Sequence, residues 1–103
     1  SSLIYKSLDT LKEIVNFSRK TKTLIVVGLP VIFSGKLYNC ACLIYAGKIL
    51  GIVPKSYIPD YKEFYELRWF ASGKEIKNET LEIFGGKVPL EQIWYFIWKK
   101  NPR

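Results

Sequence analysis

The 103-residue chain contains no histidine and only two cysteines, Cys40 and Cys42. Structural zinc is held by four His or Cys ligands in paired spacing, so this composition argues against a zinc module. Two positions apart on a strand, Cys40 and Cys42 face the same way and are badly placed to bridge each other. A chain without a disulfide framework is expected in a reducing compartment, here the cytoplasm. Long apolar runs are also lacking. The stretch from Leu24 to Phe33 is short and is interrupted by Gly28 and Pro30, so no membrane span is expected. No signal-peptide pattern is visible, and an opening on Ser1 fits a truncated start. Gly85-Gly86-Lys87 lacks the GxxxxGK[ST] spacing of a phosphate loop.

What is abundant is basic charge: 16 Lys and Arg against 9 Asp and Glu, a net +7. A small basic nucleic-acid-binding module is one reading of that surplus. Most of the lysines are scattered singly, however. Only Arg19, Lys20 and Lys22, and then Lys99, Lys100 and Arg103, cluster. Dispersed lysines suit a solvated surface, and no nucleic-acid partner is expected. Hydrophobic residues make up 49% of the chain, which is globular composition. A chain of this length buries roughly 60–65% of its unfolded surface as one small domain.

Ile4, Leu8, Leu11 and Val15 recur at helical spacing, with Ile14 widening the stripe and Lys12, Asn16, Arg19 and Lys20 on the wet side. This predicts an N-terminal helix, capped by Ser1 or Ser2, lying on a sheet. Thr23 to Val27 is a continuous, largely apolar and β-branched run and predicts a strand buried on both faces, ended by Gly28 and Pro30. Val31 to Phe33, a Ser34-Gly35-Lys36 turn and Leu37 to Tyr45 predict a hairpin, and Ala46-Gly47 turns the chain into Lys48 to Val53. Lys74 to Asn78 reads as a polar turn. Leu81, Ile83 and Val88 read as a short alternating strand with Gly85-Gly86-Lys87 as its turn. Cys40 and Cys42 alternate with Asn39, Ala41 and Leu43, so they read as small buried apolar groups and not as nucleophiles.

The most informative stretch is GIVPKSYIPDYKEFYELRWF, from Gly51 to Phe70. Pro54 has no N–H to donate and stops the strand, leaving Lys55 where strand gives way to loop. Aromatics interleaved with fixed charges on such a loop suit a small polar ligand. This stretch resembles the lysine segment of the glutaminase domain of glutamine-dependent NAD+ synthetases, within the nitrilase, or carbon–nitrogen hydrolase, superfamily. VVGLP and LYNCACLIYAGKILG before it, and FASG after it, are similar to the same domain in the same order. The resemblance covers roughly Leu3 to Pro89.

The resemblance implies a partial nitrilase-type α-β-β-α sandwich: one helix, a mostly antiparallel strand meander and a loop carrying the lysine. It implies that residues 1–89 come from inside a longer glutaminase domain. In that family a Cys attacks the amide carbon of L-glutamine, ammonia leaves, and water hydrolyses the thioester. Lys55 matches the ammonium that stabilises the oxyanion, Glu63 matches a second glutamate that positions the lysine or the attacking water, and Tyr61 matches a tyrosine contacting glutamine. Glu66 and Arg68 suit an ion pair. The nucleophile and base motifs, similar to I-C-E-D-x-W and F-P-E-L, have no counterpart here, so the piece alone is expected to be inactive. The parent enzyme would use ATP and Mg2+ in a separate synthetase domain to amidate deamido-NAD+, and would be a homo-oligomer. A piece of another nitrilase-superfamily amidase is the nearest alternative.

The last stretch, EQIWYFIWKKNPR, departs from this pattern. A membrane-surface helix or a sticky strand are its ordinary readings. Back-translated in the other frame with Leu90 as TTG, Leu90 to Lys99 reads G-[TA]-[ND]-[LM]-V-[FL]-[YH]-[LM]-E, which accommodates the GTDL that the resembled family carries at this point. Residues 90–103 are therefore expected to be a frameshifted tail that packs badly, leaving Trp94 or Trp98 exposed.

Overall fold

The computed structural model describes residues 2–55 and 72–98, with side chains from residue 8 onward. Helix α1 (Ser2–Ser18) is followed by strands β1 (Ile25–Phe33), β2 (Lys36–Tyr45) and β3 (Lys48–Pro54). Beyond a 3-10 turn at Gly73–Glu75 come β4 (Glu79–Ile83), β5 (Gly86–Leu90) and a short helix α2 (Ile93–Trp98). This is the mixed α/β arrangement the periodicities predict: a helix, then a mostly antiparallel sheet. The capping position Ser1 and the Ile4 side chain lie outside what is described.

The five strands form one sheet in the order β1-β2-β3-β5-β4. Every neighbouring pair is antiparallel except β3 and β5, which meet at Ile52 and Leu90. Two-residue turns join the hairpins. Ser34-Gly35, Ala46-Gly47 and Phe84-Gly85 all hold positive φ at both positions, the I′ geometry that matches strand twist. The third turn therefore lies one residue earlier than Gly85-Gly86-Lys87, and it joins two strands where one was predicted.

The strand prediction for Thr23–Val27 needs correction. Strand β1 runs unbroken through Gly28 and Pro30 to Phe33; only Leu29 and Val31 in it are buried, and the other positions are half-buried or exposed. Its place at the sheet edge explains both points. Counting back from the turn-flanking pair Phe33 and Lys36, Pro30 stands opposite Asn39 at a non-hydrogen-bonded position. The carbonyl of Asn39 accordingly points the other way, accepting the Lys55 N–H at 2.8 Å. Proline's missing N–H thus falls on the unpaired edge, where it costs no ladder bond.

One face of the sheet carries the core. Leu29 and Val31, then Tyr38, Cys40, Cys42 and Ile44, then Ile52, Val88 and Leu90 are buried there, with Leu11 of α1 packed on them and Leu8, Ile14 and Val15 beside it. Ile44, Ile52 and Leu90 are fully buried, each stabilising the fold by about 1.5–3 kcal/mol. Leu29 and Val31 on one edge, and Leu81 and Ile83 on the other, line the same 140 Å³ cavity together with Leu8. The sheet is therefore curled around the helix. Its other face leaves Val26 and Ile32 more than half exposed.

Helix α1 is latched at its end. Ser18 Oγ donates to the Val15 carbonyl at 2.6 Å and accepts the Gly47 N–H at 2.8 Å. The side chain is wholly buried, so a hydroxyl that looks like an ordinary helix-end serine joins α1 to the β2–β3 turn.

Candidate functional site around Lys55

Strand β3 ends at Pro54, and Lys55 follows as the first residue beyond the sheet, exposed to solvent. Its backbone is held on both sides. The Lys55 N–H donates to the Asn39 carbonyl of β2 at 2.8 Å, and the Lys55 carbonyl accepts the Gly73 N–H at 3.1 Å. Gly73 is buried against this point: a Cβ there would stand 2.6 Å from Pro54 Cβ and 2.9 Å from the Lys55 oxygen. Gly73 is held in turn by the tail. The Gln92 amide donates to the carbonyls of Gly73 and Ile76, each at 2.7 Å. The Glu91 N–H donates to the Ile52 carbonyl at 3.0 Å, extending the β3–β5 pairing.

A post-strand ammonium fixed in this way presents a charge at a set place while its stem stays free to reach a ligand. Beneath it lies Cys40. Burial pushes this thiol up to about 12, and the Lys55 ammonium pulls part of the way back. Cys42, buried beside it, is pushed up to about 11. Both thiols are free and buried. They are protonated at neutral pH and packed away, which is the state of structural cysteines and not of nucleophiles. The sequence reading of the pair as small apolar groups agrees with this.

Of the three predicted site residues, only Lys55 falls among the described residues. Glu63 and Tyr61 lie outside them, as do Glu66 and Arg68. Among the described residues no group of three or more His, Cys, Asp or Glu is placed to hold a metal ion. None of the described helices is long and apolar enough to cross a membrane. Sequence reasoning did not single out Gly73 or Gln92. The only signal for Gly73 was its place in FASG; Gln92 lay in a stretch with no recognisable pattern.

No family model matches the chain. It is 40% identical over 87 residues to the glutamine-dependent NAD(+) synthetase of Mycobacterium tuberculosis, covering 84% of this chain and 13% of that one. To the Aquifex aeolicus enzyme of the same name it is 36% identical over 86 residues, 81% of this chain and 15% of that one. Among solved structures, a glutamine-dependent NAD(+) synthetase from Cytophaga hutchinsonii shares the fold with a TM-score of 0.65 at 22% identity. That match covers 84% of this chain and 15% of that one. The chain thus spans between an eighth and a sixth of the length of these relatives. On a sequence match that runs through most of its residues, this chain belongs to the glutamine-dependent NAD(+) synthetase family.

Proposed function

We propose that the chain is a segment of the glutaminase domain of such a synthetase, and that Lys55 is the oxyanion-stabilising lysine of its amidase site. The observation that carries this reading is the position of Lys55. It is an exposed ammonium directly beyond a buried strand, with its backbone clamped by Asn39 and Gly73. In amide hydrolysis a cysteine thiolate attacks the glutamine carbonyl and negative charge develops on oxygen. A cation already fixed beside that oxygen is stronger in the transition state than in the ground state, by roughly 3–4 kcal/mol for a comparable donor. Glu63 then orients Lys55 or the hydrolytic water, and Tyr61 contacts the glutamine.

In this reading the sheet is one half of a nitrilase-type α-β-β-α sandwich. Helix α1 covers one face, and the second sheet of the parent domain covers the face that leaves Val26 and Ile32 open. Ammonia released from glutamine would pass to the parent's synthetase domain, where ATP and Mg2+ activate deamido-NAD+ for amidation. The nucleophile and base would come from elsewhere in the parent, a cytoplasmic homo-oligomer, so the 103-residue chain alone has no glutaminase activity. The test is made in a full-length synthetase containing this segment. Lys55→Ala and Lys55→Arg should abolish NAD+ formation from glutamine and spare formation from free ammonia, since arginine keeps the charge without the compact ammonium. Normal glutamine turnover in either variant would remove Lys55 from the role.

A further inference from the structure

At the other end of β3, about 20 Å from Lys55 by strand rise, a 380 Å³ cleft opens between α1, the start of β3 and the β4–β5 turn. Lys12 and Asn16 line it from α1, Arg19 from just past the end of that helix, and Lys48 from β3. Among the described residues no carboxylate lines it. Three cations around one cleft without a lining counter-charge repel one another, and an anion relieves that repulsion. The α1 carbonyls that would oppose an anion are engaged: Asn16, Phe17 and Ser18 accept the N–H groups of Arg19, Lys20 and Thr21.

Of these cations, Arg19 is packed in place. The Arg19 stem lies against Gly47, where a Cβ would come within 2.7 Å of Arg19 Cγ. The Ser18–Gly47 bond sets that approach.

The opposite wall is an aromatic in an unfavourable conformation. Phe84 holds φ 52°, is about half exposed and lines the cleft. A bulky residue rarely adopts left-handed backbone, and such outliers concentrate at ligand sites. The turn itself requires no ring, because Ser34 and Ala46 occupy the equivalent place in the other two hairpins.

We propose that this cleft binds a nucleoside polyphosphate, the phosphates facing Lys12, Arg19 and Lys48 and the base lying on the Phe84 ring. The site is independent of the role assigned to Lys55. Isothermal titration of the chain with ATP, tripolyphosphate and adenosine tests it, at low and at high salt. ATP should bind more tightly than either fragment, and more weakly as salt rises. Arg19→Ala and Lys48→Ala should each weaken ATP about tenfold. Phe84→Asn, which suits a left-handed turn position, should keep the fold by circular dichroism and bring ATP down to the tripolyphosphate affinity. ATP should also protect Lys48 from acetylation in the unsubstituted chain, a readout that needs no variant. The proposal fails if the chain shows neither saturable ATP binding nor protection. It also fails if tripolyphosphate binds as well as ATP, or if the folded Arg19→Ala and Lys48→Ala variants bind ATP undiminished.

Discussion

The Gly73 N–H donates to the Lys55 carbonyl at 3.1 Å, and a side chain at Gly73 would stand 2.9 Å from that same oxygen. One contact therefore holds the candidate lysine and leaves no room for a Cβ. Gly73→Ala should push Lys55 and Pro54 aside at a cost of about 1–3 kcal/mol. In a full-length synthetase it should depress glutamine-dependent NAD+ formation while leaving ammonia-dependent formation near normal. Equal loss of both activities would assign Gly73 to general stability and not to the placement of Lys55.

The cysteines make a prediction about pH. Both thiols are held neutral by the fold, Cys40 to about 12 and Cys42 to about 11, against an ordinary value of 9.0. A group whose folded pKa is raised contributes stability that is fully present below its unfolded pKa and is lost as pH rises through the folded one. Urea stability should therefore show no pH dependence from these thiols between pH 7 and 8, where their contribution is fully present, then fall as pH rises from about 9 through 11 and 12. A thiol-specific disulfide reagent should leave both cysteines unmodified in the native chain and label both in urea. Rapid native labelling at pH 8 would contradict their burial.

Ser18 is the latch between α1 and the β2–β3 turn. Ser18→Ala removes the acceptor of the Gly47 N–H and leaves a part-buried donor without its partner. The expected loss is about 1–3 kcal/mol by urea titration. Serine at the neighbouring exposed position, Lys20→Ser, should change stability by less than about 0.5 kcal/mol. A neutral Ser18→Ala would show that the latch adds nothing to helix docking.

Helix α2 leaves Trp94 49% and Trp98 72% exposed, with Ile97 exposed between them. Against this, Leu90 is fully buried and Gln92 ties two carbonyls near Lys55. We propose that residues 90–103 are read in a shifted frame, with Leu90 and Gln92 accommodated by a site built for other residues. Phe96 lies so close over Gly51 that any side chain there would collide with it. Sequencing the gene decides the matter: shifted by one base after Pro89, it should run through GTDL toward an I-C-E-D-like motif. Early stop codons in that frame, or a complete nucleophile motif in the present one, would sink the proposal.

Much of this molecule is written in short-range chemistry. The Leu8, Leu11 and Val15 stripe specifies an amphipathic helix, because helical period alone puts those side chains on one face. Glycine at the second position of Ser34-Gly35 and Ala46-Gly47 specifies tight hairpins, because few other residues accept that φ. Strand β3 runs out at Pro54 and leaves Lys55 just beyond it, although the Lys55 N–H still pairs with the Asn39 carbonyl. Tertiary pairing decided the rest. Pro30 is harmless only because β1 lies at an edge, and edge or centre depends on the β1-β2-β3-β5-β4 order, which no local pattern encodes. The same order pairs β3 with β5 across a long intervening segment, bringing Gly73 to Lys55 and Gln92 to Gly73. Those contacts join residues 18 and 19 positions apart, and hydrophobic period carries no information about partners at that range.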